Sequence, residues 1–197
     1  MTVWETLPMS AQPLDLSRTW TEAEYLALGE LDIRTELVDW KIQVSPSPSL
    51  PHQNISRYLA NFLEPAARAA GLAVFEAVDT RIGPGTIVCP DVVIGKLRWG
   101  KGVNDAADVI LVAEVTSPSN AAWDRRGKMR RYAAAKIPWY LLVEPEPPEL
   151  LSVRLRLHRL AGARYVEHAV ARAGHVLRSD EPFPIAIETD RLIRPLP

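Results

Sequence analysis

The sequence contains a single cysteine, Cys89, among its 197 residues. One thiol can neither close an internal disulfide nor build a zinc cage, which excludes disulfide-rich folds and structural zinc modules. No apolar run approaches the ~18 residues that span a bilayer, and Met1–Ser17 lacks a basic segment followed by an apolar one. We therefore expect a cytoplasmic protein with no membrane partner.

A glycine-rich phosphate loop is also missing. Gly83-Pro84-Gly85 is too short for one, and the Lys-Ser/Thr pair of a P-loop does not follow it. Nucleoside triphosphates are therefore not expected as ligands.

The composition is that of an ordinary globular protein, with 47% hydrophobic residues and 23 basic residues nearly balancing 24 acidic ones. We expect an N-terminal extension over residues 1–18 and a single domain over 19–197. Charge is unevenly distributed, because Met1–Trp40 has two basic and eight acidic residues, whereas Ala121–Lys136 has six basic and one acidic. The basic stretch is a candidate phosphate-binding face.

The hydrophobic pattern predicts an α/β fold with a mixed sheet. Continuous Val, Ile and Leu runs in Cys89–Ile94 and Asp108–Thr116 are typical of strands buried on both faces. A predicted helix from about Asn120 to Lys136 and a strand over Ile137–Val143 complete a βαβ unit with the second run. The other predicted elements are a capped helix at Thr21, one or two strands over Glu36–Val44, a helix over His52–Ala70, a strand over Leu72–Val78, an exposed turn at Glu144–Glu149, and an antiparallel pair of Leu151–Leu160 with Arg164–Ala171.

Two carboxylates lie in apolar strands: Asp91 precedes Val92-Val93-Ile94, and Glu114 interrupts the second run. A buried carboxylate is costly unless it meets a cation, a proton or a set of hydrogen bonds. On neighbouring strands, two such groups can bind one Mg²⁺, which prefers oxygen ligands. The structural alternative is that Asp91 caps a strand end and Glu114 pairs with an arginine of the next helix.

Asp124, Lys128 and Tyr132 share one face of the predicted helix after Glu114, since they lie at i, i+4 and i+8. That face can point back at the strand end, where a lysine reaches a scissile phosphate or the water that attacks it. The alternative is a surface Asp–Lys pair without a chemical role.

Taken together, these segments resemble a known family. They occur in the order Glu36-Leu37-Val38-Asp39, a Ser-Pro loop before His52, Pro90-Asp91, Glu114-Val115-Thr116-Ser117-Pro118-Ser119, Asp124 with Lys128 and Tyr132, and Ile137-Pro138-Trp139-Tyr140-Leu141-Leu142-Val143-Glu144-Pro145. The set resembles the Uma family of putative restriction endonucleases, a bacterial branch of the PD-(D/E)XK nuclease superfamily. The similarity runs from about Thr19 to Ile187, and no single motif carries it.

The resemblance implies a restriction-endonuclease-like core, in which helices flank a central mixed sheet and antiparallel strands are added on the C-terminal side. It also implies hydrolysis of DNA that depends on Mg²⁺, with Mn²⁺ as a substitute. Asp91 and Glu114 match the catalytic metal ligands, with the backbone carbonyl of Val115 as a further ligand. Glu36 matches an acidic residue that adds to this site.

The sequence departs from the superfamily at Thr116, where the catalytic lysine would stand. In the Uma family a lysine on the following helix takes over this role, and here that residue is Lys128. Trp40 also stands where relatives commonly have Gly.

Several residues are candidate substrate contacts. His52 matches a histidine usual in the family, and the others on the predicted helix are Arg125, Arg126, Arg131 and Tyr132. For the arginines, the alternatives are a solvated helix face or pairing with the acidic amino-terminal segment. The Tyr132 hydroxyl is within reach of a hydrogen bond into the site, although an aromatic one turn beyond Lys128 is more often a core residue.

Two functions remain open. The carboxylates and Lys128 favour a metal-dependent DNA endonuclease, whereas Thr116 favours a nuclease-fold protein that binds or scaffolds DNA without cutting it. A Lys128 ammonium directed away from both acids would favour the second. A two-fold homodimer would allow both strands to be cut, with the apolar segment Pro184–Ile187 as its candidate interface.

Overall fold

The computed structural model describes residues 14–29, 31–98, 100, 102–116, 127–146 and 152–193. Its helices are α1 (Glu22–Ala27), α2 (Leu50–Ala69), α3 (Met129–Ala134) and α4 (Thr189–Leu192). Its strands are β1 (Arg34–Val38), β2 (Lys41–Ser45), β3 (Ala73–Glu76), β4 (Thr80–Gly83), β5 (Thr86–Val88), β6 (Val92–Gly95), β7 (Asn104–Asp105), β8 (Val109–Val115), β9 (Trp139–Glu146), β10 (Ser152–Ala161), β11 (Arg164–Ala171), β12 (Val176–Ser179) and β13 (Ile185–Glu188). Within these ranges, no helix is both long enough and apolar enough to cross a membrane.

A six-stranded mixed sheet lies at the centre of the fold, with strand order β11-β10-β9-β8-β6-β3. Strands β8 and β9 run parallel, and the other neighbours are antiparallel. A second sheet, in the order β2-β1-β5-β4-β7, is antiparallel except for its β4–β7 pair. Strands β12 and β13 form a separate antiparallel pair. The α/β class with mixed sheets and additional C-terminal strands is therefore confirmed.

Both faces of the central sheet are covered, as the continuous apolar runs predict. On one face, Leu111 and Ala113 of β8 belong to a buried cluster with Leu59 of α2. On the other face, Val112 of β8 belongs to a second cluster with Tyr132 of α3. Side chains alternate between the faces of a strand, so Glu114 lies on the same face as Val112. That alternation directs Glu114 towards α3.

Local capping interactions fix where the helices begin. The Thr21 hydroxyl accepts from the backbone N–H of Glu24, whose carboxylate accepts from the Thr21 N–H in return, so the predicted capping box of α1 is confirmed. The Ser49 hydroxyl accepts from the His52 N–H and starts α2 two residues before the predicted start. Gly71, at φ +74°, follows the end of α2, where a left-handed residue is favoured.

The exposed turn predicted at Glu144–Glu149 is wrong for its first half, and residues 147–149 lie outside the described part of the chain. Strand β9 continues to Glu146, and Glu144 is only 7% exposed. The reason is pairing with β10, where Glu144 lies opposite Arg154. A ladder partner thus overrides a Pro- and Glu-rich composition that is typical of turns.

The segment predicted as a dimer interface, Pro184–Ile187, is partly covered within the chain. Ile185 and Ile187 of β13 are buried in the cluster that contains residues of α2. Pro184 and Ala186 are exposed, so the dimer interface stays a prediction. The predicted helix from Asn120 is described only from residue 127 onwards, so its predicted cap at Ser117–Asn120 lies outside the described residues.

Candidate active site

Asp91 and Glu114 lie at the ends of two neighbouring central strands. The β6–β8 register pairs Val92 with Ala113, and continuing it by one residue brings Asp91 opposite Glu114. The Val115 N–H donates to Asp91 Oδ2 at 2.8 Å, which ties the two strand ends together. Asp91 is 6% exposed and Glu114 is 2% exposed. Two carboxylates are thus buried at one end of the β6–β8 pair.

Glu114 is held by two donors from the segment that leads into and forms α3. The Lys128 ammonium donates to Oε1 and Oε2, each at 3.1 Å. The Tyr132 hydroxyl donates to Oε1 at 2.5 Å. Burial raises the pKa of Tyr132 well above its usual value, and the Glu114 charge adds to this effect. The phenol therefore stays protonated and remains a donor.

Glu36 of β1 completes what we call the acidic cluster, which consists of Glu36, Asp91 and Glu114. Glu36 is 4% exposed, and its Oε1 accepts from the Cys89 N–H at 2.9 Å. The same oxygen lies 3.6 Å from Lys128 Nζ. The Lys128 side chain, which is 12% exposed, therefore contacts two members of the acidic cluster.

Two cationic or titratable groups approach Asp91 from its other side. His52 Nε2 lies 3.1 Å from Oδ1, although without the geometry of a hydrogen bond. Arg34 lies 3.5 Å from the same oxygen, and its guanidinium also donates to the Cys89 carbonyl. Burial on its own would raise the pKa of Asp91, but His52, the Val115 N–H and Lys128 outweigh it and lower the pKa below its usual value.

Arg34 is the one member of this arrangement that sequence reasoning missed. A signal for it lies near the predicted strand, because Arg34 comes two residues before its predicted start at Glu36. The observed β1 begins at Arg34, so the two side chains share a face. Arg34 is also one of only two basic residues in Met1–Trp40. An isolated cation beside an acid on the same strand face indicates a paired site.

The predicted substrate contacts have different outcomes. Direct contact by Tyr132 is wrong, because its ring has no exposed surface and its hydroxyl binds Glu114. Arg131 donates to both carboxylate oxygens of Asp39, at 2.9 and 2.8 Å, which is the predicted alternative of pairing with the acidic amino-terminal segment. A substrate contact by Arg131 stays a prediction. Arg125 and Arg126, the other two predicted contacts on this helix, lie outside the described residues.

Thr116 occupies the position of the superfamily lysine. It is buried, and its backbone N–H and its hydroxyl both donate to the Val143 carbonyl, at 2.9 and 3.4 Å. The side chain is therefore used in the contact between the ends of β8 and β9. A cation at Glu114 is supplied by Lys128 instead.

The acidic cluster offers carboxylate oxygens, the ligand atoms that hard divalent cations prefer. Within the described part of the chain, its three carboxylates meet the guanidinium of Arg34 and the ammonium of Lys128. Mg²⁺ is usually bound through one or two carboxylates, with water and substrate phosphate as its other ligands. Among the described residues, no group of three or more His, Cys, Asp and Glu side chains is arranged around a single metal position. A divalent ion here would be held through two carboxylates, Asp91 and Glu114, at the adjoining strand ends.

The family model of Uma2, described as putative restriction endonuclease, matches residues 22–192. The chain belongs to the Uma2 family. This match confirms the resemblance drawn from the motifs. It also makes a nuclease the coarse assignment of function for this Uma2 protein.

A solved structure shares the fold of this Uma2 protein. The crystal structure of a putative nuclease belonging to DUF820 from Anabaena variabilis ATCC 29413 aligns with a TM-score of 0.70 at 15% identity. The match covers 88% of this chain and 97% of that chain. No curated protein matches the sequence.

Proposed function

We propose that this Uma2 protein is a metal-dependent endonuclease that hydrolyses DNA phosphodiester bonds. The observation that carries the proposal is the position of Lys128. An endonuclease without the superfamily lysine at Thr116 needs another cation at the carboxylates, and the Lys128 ammonium contacts both oxygens of Glu114. This position supports the enzyme over the non-catalytic alternative.

In this proposal, Asp91 and Glu114 are the metal ligands, together with the backbone carbonyl of Val115, and Mg²⁺ is the expected ion, with Mn²⁺ as a substitute. Such an ion supplies Lewis acidity towards the phosphate and towards water. The Val115 N–H fixes one oxygen of Asp91, and the Tyr132 hydroxyl fixes one oxygen of Glu114. Both carboxylates are therefore oriented before substrate binds.

Lys128 orients the attacking water and offsets the charge that develops on the phosphate. Water oxygen bonds to phosphorus while the bond from phosphorus to the leaving oxygen breaks; the water releases a proton to solvent, and the leaving oxygen takes one from solvent. Preorganised electrostatic contacts of this kind typically contribute ~3–4 kcal/mol each to the rate. Arg34 and His52 lie on the opposite side of Asp91 from the Val115 contact and are placed to receive a neighbouring phosphate. Glu36 holds the Lys128 ammonium within reach of the site.

The test is nicking of supercoiled plasmid by wild type and Glu114→Gln in Mg²⁺ or Mn²⁺, with EDTA as control. Glutamine keeps the acceptor for the Tyr132 hydroxyl, so this variant preserves the fold better than alanine would. Metal-dependent nicking by wild type and its loss in the variant are the expected results. If wild type neither cuts nor binds metal by calorimetry, the endonuclease proposal fails in favour of a DNA-binding module.

A further inference from the structure

A cavity of about 330 Å³ opens beside Asp91, between the start of α2 and the end of β3. Its lining includes Ser56, Arg57 and Glu76, together with the apolar side chains of Pro48 and Leu50. Its volume falls within the range of small-molecule pockets. Because Asp91 is part of the wall, a molecule in this cavity would abut the acidic cluster.

Ser56 gives the cavity a polar group that is not satisfied by the described part of the protein. The residue is 6% exposed, and its Oγ has no hydrogen-bond partner there. Buried hydroxyls are bonded in the large majority of cases, since an unbonded one costs free energy. The cavity therefore offers a hydroxyl that a ligand can satisfy.

The charges around the cavity favour a neutral polar occupant over a bare phosphate. Its lining sets two carboxylates, Asp91 and Glu76, against the guanidinium groups of Arg34 and Arg57, so the wall has no large excess of positive charge to hold an anion. Partial burial raises the pKa of Glu76, with the Asp91 charge adding to the effect and Arg57 opposing it. A carboxylate in this setting favours a neutral ligand that presents N–H donors.

We propose, on the basis of the nuclease function above, that this cavity receives one unpaired nucleobase that carries an exocyclic amino group. Glu76 accepts from the amino group, Ser56 bonds a second polar atom of the base, and Pro48 and Leu50 cover part of its face. Carboxylates accept from base amino groups in known protein–DNA contacts. A stacked base cannot enter such a pocket, so the nucleotide must be extrahelical or single-stranded. The phosphate next to that base then lies at Asp91.

The test measures binding without cleavage, using wild-type protein in EDTA. Three fluorescent DNA duplexes differ only at one extrahelical position, which is adenine, thymine or an abasic site, and affinity is read by anisotropy. We expect adenine to be bound about tenfold more tightly than the abasic site, the low end of one base-edge contact. Thymine, which lacks the amino group, should be bound more weakly than adenine. RNA duplexes with the same extrahelical substitutions show whether DNA or RNA supplies the base. Tighter binding of adenine than of the abasic site in either nucleic acid supports the pocket.

Two variants connect the effect with the cavity. Ser56→Leu fills the cavity and should reduce adenine binding to the abasic level, whereas Asn61→Leu, on the exposed face of the same helix, should leave it unchanged. Glu76 lies at the more exposed rim of the cavity. The Glu76→Ala variant should therefore fold, and it tests the proposal even if Ser56→Leu does not fold. It should abolish the preference for adenine over thymine without weakening abasic binding.

Equal affinity for adenine and the abasic site would overturn the base pocket, and so would an adenine preference that survives Glu76→Ala. Cleavage plays no part in this measurement. A base preference without metal-dependent nicking would therefore overturn the endonuclease assignment alone, while nicking without a base preference would overturn the pocket alone.

Discussion

Lys128→Met gives the sharpest test of how the acidic cluster is held. Lys128 Nζ lies 3.1 Å from both Glu114 oxygens and 3.6 Å from Glu36 Oε1. At 3.1 Å and an effective dielectric constant of ~20, the Coulomb attraction is about 5 kcal/mol, much of which is offset by desolvation of the ammonium. Removing one partner of a buried pair typically costs ~3–5 kcal/mol. Because the Tyr132 hydroxyl still bonds Glu114, we expect a loss near the lower limit, about 3 kcal/mol.

The measurement is thermal unfolding followed by circular dichroism in EDTA. For a chain of this length, about 3 kcal/mol corresponds to a decrease in Tm of roughly 6–12 °C. Lys136→Met is the matched control, because Lys136 is exposed and its ammonium donates to the Gly162 carbonyl at 3.4 Å rather than to a buried acid. Its stability should change by no more than about 0.5 kcal/mol.

Added Mg²⁺ separates a metal site from a purely structural ion pair. A cation bound between Asp91 and Glu114 replaces the positive charge that Lys128→Met removes, so the Tm of the variant should rise more than that of wild type. Ligand at about 100 times its Kd stabilises by about 2.7 kcal/mol. An unchanged Tm in EDTA would refute the buried ion pair, and the absence of any rise in either Tm with Mg²⁺ would refute the metal assignment.

Three further changes test other parts of the structure. Tyr132→Phe removes a hydrogen bond to a charged group, so it should lower the free energy of unfolding in EDTA by about 1.5–3 kcal/mol. An unchanged Tm would contradict the contact with Glu114. Gly95→Ala places a Cβ 2.1 Å from a backbone carbonyl oxygen and should destabilise by ~1–3 kcal/mol, whereas Gly102→Ala, which meets nothing within 4 Å, serves as control in the same melts. Hydrogen bonds from Thr21 lower the pKa of Glu24 to about 2. An acid whose pKa is lowered on folding stabilises the protein above its unfolded pKa, and this stability is lost as the pH falls towards about 2. Glu24→Gln should therefore flatten the decline in Tm between about pH 5 and about pH 2, and a profile parallel to that of wild type would count against the cap.

The long elements of the fold could be predicted because their hydrophobic pattern extends over many residues. The runs around β6 and β8 indicated central strands, and the βαβ unit followed from their order. Strands β4, β5 and β7 were not predicted, since they have only two to four residues each and no pattern develops over that length. The wrong turn at Glu144 has a different cause, because its pairing with β10 depends on a partner that local composition does not reveal.

The acidic cluster was partly predictable for an energetic reason. A carboxylate in an apolar strand needs compensation, and this requirement singles out Asp91 and Glu114 from the amino-acid sequence alone. The compensating groups are harder to predict. Arg34 reaches Asp91 only because β1 packs beside the segment that carries Cys89 and Asp91, as its contact with the Cys89 carbonyl shows. Such a contact joins residues more than fifty positions apart, beyond the range of any local pattern.

A lysine supplied from beside a helix can replace one on a strand only if the helix is held in place. Lys128, Arg131 and Tyr132 are spaced at i, i+3 and i+4, which places them on one side of this segment. Arg131 binds Asp39 in the turn after β1, while Tyr132 binds Glu114 in β8. The same side that presents Lys128 is therefore fastened to both strands that carry its acidic partners. Electrostatic catalysis depends on such preorganisation, and these contacts explain how Thr116 can be a structural residue while the charge comes from Lys128.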